Sequence, residues 1–281
     1  PEKGKNGGYI NKSQLSYAAY TVDDEGYADL YEENIKGYSV SLAELDNTGE
    51  QRFEYFGAQA VNKEGESDIM PSNSVIMGDA YTLPFADSFA NGKLAHDMWY
   101  SERTGTNGFA LSSNTSADND GGCVSFQAAE DKAIASFCSG KIALGNCDNP
   151  VLTFDYYCNA GAENILLAEI NRAYIDTTLV KTIDFSKETG ATGWRHAVVN
   201  LRQFRQAPYI QLAFLTQIAK AGDMVMIDNI RIENNPELFV NGIKTEKKGR
   251  DKVYDLNGIL QDTSKSHKGL FITGGKKMVL K

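Results

Sequence analysis

The sequence has no run of about eighteen consecutive apolar residues, so no segment is predicted to cross a bilayer as a helix. Its first residues, PEKGKNGGYI, lack the apolar stretch of a signal peptide, which is typical of a cytosolic protein or of a trimmed mature piece. The net charge is −9, and no cationic cluster precedes residue 235. Since nucleic-acid binding requires clustered cations, we expect no nucleic-acid partner.

Histidines are also few, and the cysteine spacings do not match those of metal sites. The three histidines are far apart in sequence, and the four cysteines, all between residues 123 and 158, form no C-x-x-C motif. This excludes the usual zinc patterns. Two alternatives remain open for the cysteines, namely at least one disulfide or buried thiols that pack as small apolar side chains.

Alternation of apolar and polar residues dominates what is present. Short runs rich in β-branched and aromatic residues, each bounded by Gly, Asn, Asp or Ser, predict strands. The runs are LSYAAYTV, YSVSLAEL, RFEYFGAQAV, VLTFDYYC, LVKTIDF, YIQLAFL and MVMIDNIRI. The sequence therefore predicts an antiparallel all-β protein, with short helical turns at most near residues 86–94 and 201–206.

Gly, Asn and Pro clusters predict two boundaries along the chain. One falls within SVIMGDAYTLPF and the other within IRIENNPELF. We therefore expect three parts, residues 1–79, 80–234 and 235–281. The last part carries ten Lys or Arg against five Asp or Glu, which makes it basic on an acidic protein.

The stretch YFGAQAVNKEGES, residues 55–67, resembles the F strand and following turn of a fibronectin type III domain. The resemblance implies a β-sandwich for residues 1–79, but one that lacks its first two strands. Such a sandwich would leave an apolar face and a sheet edge uncovered. We accordingly expect another chain, or an upstream segment of a longer polypeptide, to complete this domain.

The middle part contains TLPFADSFANG, MWYSE, DNDGG, NPVLTFDYY, GWRHAVVNL and MVMIDNIRI in that order. The series resembles the jelly-roll modules of the cleaved-adhesin and MAM-like (choice-of-anchor) group found in surface proteins and secreted proteases of Bacteroidetes. The resemblance implies a jelly roll over residues 80–234. The predicted fold class is therefore tandem β-sandwiches followed by a small C-terminal β module.

A metal site is predicted around Asp228. If Met226, Ile230 and Ile232 share one face of a strand, Asp228 shares it too, and a carboxylate among apolar groups needs a partner or a cation. Calcium suits such oxygen ligands. The cleaved-adhesin resemblance implies a structural calcium held by Asp228 and Asp87. Asp118 and Asp120 in SADNDGG are further candidate ligands, and the alternative is that these acids only bond backbone groups in turns.

Aromatic residues suggest a glycan-binding surface, because a ring can stack on a sugar while its edge stays wet. The candidates are Trp99, Tyr100, Tyr156, Tyr157 and Trp194. A core position is the favoured interpretation for rings on jelly-roll strands. No carboxylate pair, nucleophile and base, or phosphate-binding loop stands out, so we expect no catalytic residue in this chain.

The end of the chain, VYDLNG and then KGLFITGGKKMVLK, resembles the C-terminal sorting domain of type IX secretion cargo. This resemblance implies contact with export machinery and a secreted or outer-membrane location. We predict a non-catalytic adhesin or binding module that recognises host protein or glycan. The alternative is an accessory C-terminal region of a larger secreted protease or other hydrolase whose catalytic domain lies upstream.

Overall fold

A computed structural model describes residues 15–23, 25–159, 163–172, 176–188 and 193–236 in full, together with the backbone of short strands near both ends. The residues form two compact units, Pro1–Phe239 and Val240–Lys281. The described parts contain β-strands and no α-helix, which confirms the all-β prediction. Short 3-10 turns at Ala90–Gly92 and Arg202–Phe204 fall within the two stretches predicted to hold helical turns.

The N-terminal part of the first unit contains a two-stranded sheet, β1-β2, and a separate six-stranded antiparallel sheet. Strand β3 is central, flanked by β4 on one side and by β5 on the other, and β5 also pairs with β6, β7 and β8. The strands are β1 Glu2–Lys3, β2 Tyr9–Ile10, β3 Ser16–Val22, β4 Ala28–Ile35, β5 Arg52–Asn62, β6 Gly65–Glu66, β7 Met70–Pro71 and β8 Val75–Met77. The fibronectin-like assignment and its missing strands remain predictions.

The prediction of a strand at YSVSLAEL was wrong. Residues 38–45 form a loop and a turn, and the neighbouring strand is β4, Ala28–Ile35. Strand β4 lies at the edge of its sheet and alternates weakly, since most of its side chains are exposed or half-buried. The alternation of apolar and polar residues, from which buried strands are predicted, is therefore weak in this strand.

The rest of the first unit is a β-sandwich of two antiparallel sheets. Its strands are β9 Phe85–Asp87, β10 Trp99–Thr104, β11 Ala110–Ser112, β12 Cys123–Gln127, β13 Ala133–Ser139, β14 Pro150–Cys158, β15 Ile165–Arg172, β16 Asp176–Asp184, β17 Arg195–Asn200, β18 Gln211–Ile218 and β19 Met224–Asn234. Sheet I has the order β10-β13-β18-β15-β16. Sheet II has the order β11-β12-β19-β14-β17, with β9 also paired to β19.

The hydrophobic core lies between sheets I and II. Alternation along each strand sends every second side chain into it, so that Phe214 of β18 meets Phe154 of β14 across the sandwich with ring centroids 4.9 Å apart. Trp99 stacks on Phe137 with ring centroids 4.5 Å apart. The other residues of each strand face outward, and on sheet I these outward residues form the floor of a cleft.

The second unit contains four short strands, β20 Val253–Tyr254, β21 Leu260–Gln261, β22 Gly269–Thr273 and β23 Lys276–Leu280, paired in the order β21-β20-β22-β23. The antiparallel pair β22 and β23 agrees with the alternation in LFITGGKKMVL. Most of the sorting-domain motif lies outside the described residues. No helix in the described part of the chain has the length and apolarity needed to span a membrane.

Candidate functional site: a cleft on sheet I and an acidic cluster on sheet II

The outer face of sheet I carries a row of side chains at matching strand positions. Tyr100 pairs with Cys138, Cys138 with Ala213, and Ala213 with Glu169. Their neighbours along the strands point into the core, so these four residues face outward. Burial and the nearby Glu102 and Glu169 charges raise the pKa of Cys138 to about 11, so its thiol stays protonated and unreactive at neutral pH.

Two further rows extend this face. Glu102 aligns with Ser136 and Leu215, two residues along from the first row. On the other side, Gln211 of β18 pairs with Asn171 of β15. The outer face of sheet I is thus a polar floor with one aromatic ring.

The N-terminal sheet supplies a wall over this floor. Phe53 of β5 meets Tyr100 edge to face, with centroids 5.1 Å apart and planes at 82°. Asn73 and Ser74, between β7 and β8, line the same space. The result is a cleft of about 600 Å³ bounded by the N-terminal sheet and sheet I, a size typical of small-ligand sites.

A set of hydrogen bonds holds the wall in place. The Gln51 side chain accepts a bond from the backbone N–H of Lys141 (2.6 Å) and donates one to its carbonyl (2.9 Å). Lys141 is itself buried and donates to Asn47 Oδ1 at 3.1 Å. A Cβ at Gly140 would lie 2.3 Å from Gln51 Oε1, so the close approach favours glycine there.

Gln211 is one of two buried polar residues of the cleft, and the other is Ser136. Gln211 is 3% exposed and lines the space, and its Oε1 has no hydrogen-bond partner. Its Nε2 donates to the Ser139 carbonyl at 3.4 Å. A buried acceptor without a partner costs about 1–3 kcal/mol, so a donor from a bound molecule would relieve this cost.

The acidic cluster lies on sheet II, where a β-bulge sets the direction of Asp228. Asp155 pairs with Asp228 and Thr153 with Arg231, so three steps on β19 oppose two on β14. The extra residue is Asn229, whose φ is 50°. The predicted shared face was therefore wrong, because Ile230 and Ile232 face the core together with Ile227, and Asp228 faces the other side.

Asp228 is fully buried beneath the segment 113–122. Its oxygens accept hydrogen bonds from the backbone N–H groups of Ala117 and Asn229, both at 2.7 Å. Burial, aided by the charges of Asp120 and Asp118, raises its pKa to about 6. Carboxylate oxygens of Asp118, Asp120 and Asp228 lie within 4.8 Å of one another, so this triad could hold a metal ion.

The surroundings of the triad offer oxygen donors and no available thiolate. Burial, together with the nearby Asp228 charge, raises the pKa of the adjacent Cys123 to about 11. Asp118 and Asp120 also shape the loop, because they accept hydrogen bonds from Asp120 N and Gly122 N. A set of carboxylates fits a hard cation such as Ca²⁺ or Mg²⁺ and does not favour a soft one.

Asp87, the other predicted ligand, lies outside the triad. Its two oxygens accept four bonds, from the backbone N–H groups of Phe89, Ala95 and His96 and from Trp99 Nε1, at 3.0–3.3 Å. Burial raises the pKa of Asp87, while these four donors favour its charged form. The carboxylate therefore anchors the segment 89–99, and its predicted metal role is not tested by the structure.

The predicted aromatic candidates divide between the core and the surface. Trp99 and Tyr156 are buried, which confirms the core interpretation for them. Tyr100 faces the cleft, and Tyr157 and Trp194 form a half-buried ring pair, 5.9 Å apart, at β14. All four cysteines are free thiols. The sequence analysis did not single out Glu102, Glu169 or Gln211.

Together, the fold and these sites define a β-sandwich protein with an outer-face cleft on one sheet and an acidic cluster on the other. Comparison of the sequence with family models and with curated proteins finds no match. Solved structures are similar in fold at low sequence identity. They include cleaved adhesin domains and carbohydrate-binding modules.

The K1 cleaved adhesin domain of Lys-gingipain from Porphyromonas gingivalis is 18% identical with a TM-score of 0.42, over 54% of this chain and 98% of that one. TmCBM61 in complex with β-1,4-galactotriose is 13% identical with a TM-score of 0.42, over 53% of this chain and 95% of that one. A structure of carbohydrate-binding modules from the β-sandwich superfamily is 11% identical, with a TM-score of 0.42, over 78% and 85% respectively.

Proposed function

We propose that the chain is a non-catalytic binding module of a secreted or cell-surface protein, and that the cleft on sheet I binds a hydroxyl-rich ligand of the glycan class. The carrying observation is the buried, unpartnered Gln211 Oε1 in a cleft that also contains the Phe53 and Tyr100 rings. Aromatic edges and faces suit the C–H surface of a sugar, and amide and carboxylate groups suit its hydroxyls.

The geometry of the cleft carboxylates supports a binding role over hydrolysis. Glu102 and Glu169 are separated by three strand spacings and two residues in register. Strand spacing and rise give a Cα separation of about 16 Å, and side chains stand roughly perpendicular to a sheet. Glycosidase carboxyl groups lie about 5–9.5 Å apart, so these two are too far apart to act on one bond.

A close His–Asp pair lies on the outer face of sheet II. His196 Nδ1 lies 2.7 Å from Asp155 Oδ1, and Asn229 donates to the other Asp155 oxygen at 3.0 Å. In the described part of the chain, neither residue has a hydrogen bond to a Ser or Cys. The pair therefore supports β14–β17–β19 packing better than nucleophilic catalysis.

The test is a glycan-array screen of the intact chain, followed by calorimetric titration of each binder. Tyr100→Ala is expected to weaken binding about tenfold or more, since a stacked ring contributes on the order of 1–2 kcal/mol. Tyr157→Ala, which removes a ring from sheet II, is the matched control and is expected to leave affinity unchanged. Equal loss in both variants, or no binding by the wild type, would contradict the proposal.

We also propose that the triad of Asp118, Asp120 and Asp228 binds calcium. Three carboxylates match the hard oxygen ligands that Ca²⁺ prefers, and a cation would offset the burial of Asp228. Asp87 is not included, because four N–H donors already occupy its oxygens. Titration of chelator-treated protein with Ca²⁺ tests this site, and no heat at millimolar Ca²⁺ would reject it.

For the C-terminal unit, we propose a role as an export signal. Its support is limited to the sequence resemblance and to the paired strands β22 and β23. Fusion of residues 240–281 to a reporter in a cell with a type IX system tests it directly. Surface display of the fusion is expected, and retention inside the cell would contradict it.

A further inference from the structure

We infer that the cleft on sheet I selects its ligand by charge. It accepts neutral or amine-bearing glycans and rejects those that carry carboxylate or sulfate groups, and Glu102 and Glu169 are the residues that determine this specificity. The inference rests on the proposed glycan-binding function and adds the chemical class of the ligand.

The first argument is the kind of hydrogen bond that the cleft can make. Glu102 and Glu169 line it, and carboxylate oxygens accept hydrogen bonds. Gln211 also lines the cleft, and its buried Oε1 is another acceptor without a partner. The floor thus calls for donors, and sugar hydroxyls, amides and ammonium groups supply them. Carboxylate and sulfate groups on a ligand are themselves acceptors, so they cannot pair with Glu102, Glu169 or Gln211 Oε1.

The second argument is the charge of the lining. The cleft contains two carboxylates, and none of the lining residues in the described part of the chain is Lys, Arg or His. Neither glutamate has an ion pair among the described salt bridges. The whole chain is also acidic, with a net charge of −9. An anionic ligand would enter against the field of both carboxylates.

The third argument is the position of the two glutamates. Glu102 is on the edge strand β10, and Glu169 is on β15, on the far side of β13 and β18. The separation of about 16 Å that strand spacing gives corresponds to roughly three sugar residues. Any ligand chain that crosses the floor from β10 to β15 therefore passes close to both carboxylates, and an acidic group anywhere along it meets repulsion.

The experiment measures charge-matched pairs. Neutral oligosaccharides on an array are compared with their sialylated, sulfated or uronate counterparts and with de-N-acetylated amino-sugar forms, first with the wild type and then with Glu102→Gln/Glu169→Gln. The doubly substituted control Glu44→Gln/Glu64→Gln changes the net charge equally at exposed residues outside the cleft. Titrations at 20 mM and 500 mM NaCl measure the electrostatic part.

We expect the acidic member of each pair to bind the wild type about tenfold more weakly than the neutral member, with a smaller difference at 500 mM NaCl. Glu102→Gln/Glu169→Gln is expected to reduce this discrimination to about twofold, and the control is expected to keep it. Equal or tighter binding of acidic members by the wild type overturns the inference and leaves the glycan-binding function standing. Absence of binding by every glycan refutes the proposed function and the inference with it.

Discussion

Replacement of Asp228 by Asn provides a test of how the buried carboxylate affects stability. Asp228 is fully buried, and its pKa is raised to about 6 from 3.8, mainly by burial. A carboxyl with a raised folded-state pKa binds more protons in the native state than in the unfolded state between these two values. Stability from this group is therefore present at low pH and is lost as pH rises through the folded pKa.

The magnitude follows from linkage. With pKa values of 3.8 and about 6, the metal-free protein loses about 1.3 kcal/mol between pH 5 and pH 7 through this group, and about 3 kcal/mol in total from low pH to pH 7. Asn cannot titrate, and it gives up one of the two acceptors that bond Ala117 N and Asn229 N. The lost hydrogen bond lowers the free energy of unfolding of Asp228→Asn by about 1–2 kcal/mol at every pH.

The expected result is a pH-dependent difference between the variant and the wild type. Urea unfolding is measured in chelator at pH 5 and at pH 7. From pH 5 to pH 7, the free energy of unfolding of Asp228→Asn should rise by about 1.3 kcal/mol relative to that of the wild type. The comparison between variants cancels the opposite contribution of His96, whose pKa burial lowers. Asp148→Asn, at an exposed residue, is the control.

Unfolding in the presence of Ca²⁺ provides a second comparison between the same two proteins. Addition of millimolar Ca²⁺ at pH 7 should stabilise the wild type and leave Asp228→Asn nearly unchanged, because binding to the native state stabilises it by mass action. A pH-independent difference between the two proteins would refute the argument that burial raises the pKa of Asp228. Equal stabilisation of both by Ca²⁺ would refute the assignment of the metal to the triad.

Three further substitutions test the packing that supports the two sites. Gly122→Ala should destabilise by more than about 3 kcal/mol, because the new Cβ would lie 1.6 Å from the Phe89 carbonyl oxygen. Gln51→Ala removes both bonds to the Lys141 backbone and should cost about 1–3 kcal/mol and speed proteolysis of the N-terminal sheet. Phe214→Ala should cost about 3–5 kcal/mol by leaving a cavity in the core. Urea midpoints measure all three.

Matched controls separate these effects from general sensitivity. Gly37→Ala, where a Cβ meets nothing closer than 4.0 Å, should change stability little. The same holds for Gln217→Ala at an exposed residue. If Gly122→Ala were as stable as Gly37→Ala, the close approach of the segment 113–122 to Phe89 would be wrong. A wild-type proteolysis pattern for Gln51→Ala would exclude a role of Gln51 in holding the wall.

Among the strands of the sandwich, periodicity predicted β14, β16, β18 and β19, because apolar and polar residues alternate along them. The run YIQLAFL, for example, sends Leu212 and Phe214 inward, and the same alternation places Gln211 and Ala213 outward. What it could not predict is the strand pairing that brings Glu102 and Glu169 onto one face, since register depends on contacts distant in sequence. The cleft could therefore not be predicted from the sequence.

The acidic cluster shows a different limit. Period two placed Asp228 with Ile230 and Ile232, but a single extra residue on β19 reverses the faces after the bulge. The only local sign is Asn229, which tolerates a positive φ better than most residues do. The conclusion that Asp228 needs compensation held despite the wrong face, because burial alone imposes that need.

The two sites lie on different sheets, which gives them separable roles. The triad joins the segment 113–122 to β19 of sheet II, whereas the cleft is built on sheet I and on the N-terminal sheet. No residue of the triad lines the cleft. Calcium removal should therefore lower the unfolding temperature without changing glycan affinity at temperatures where the protein stays folded. Parallel loss of affinity and calcium at such a temperature would show that the core between the sheets transmits the effect.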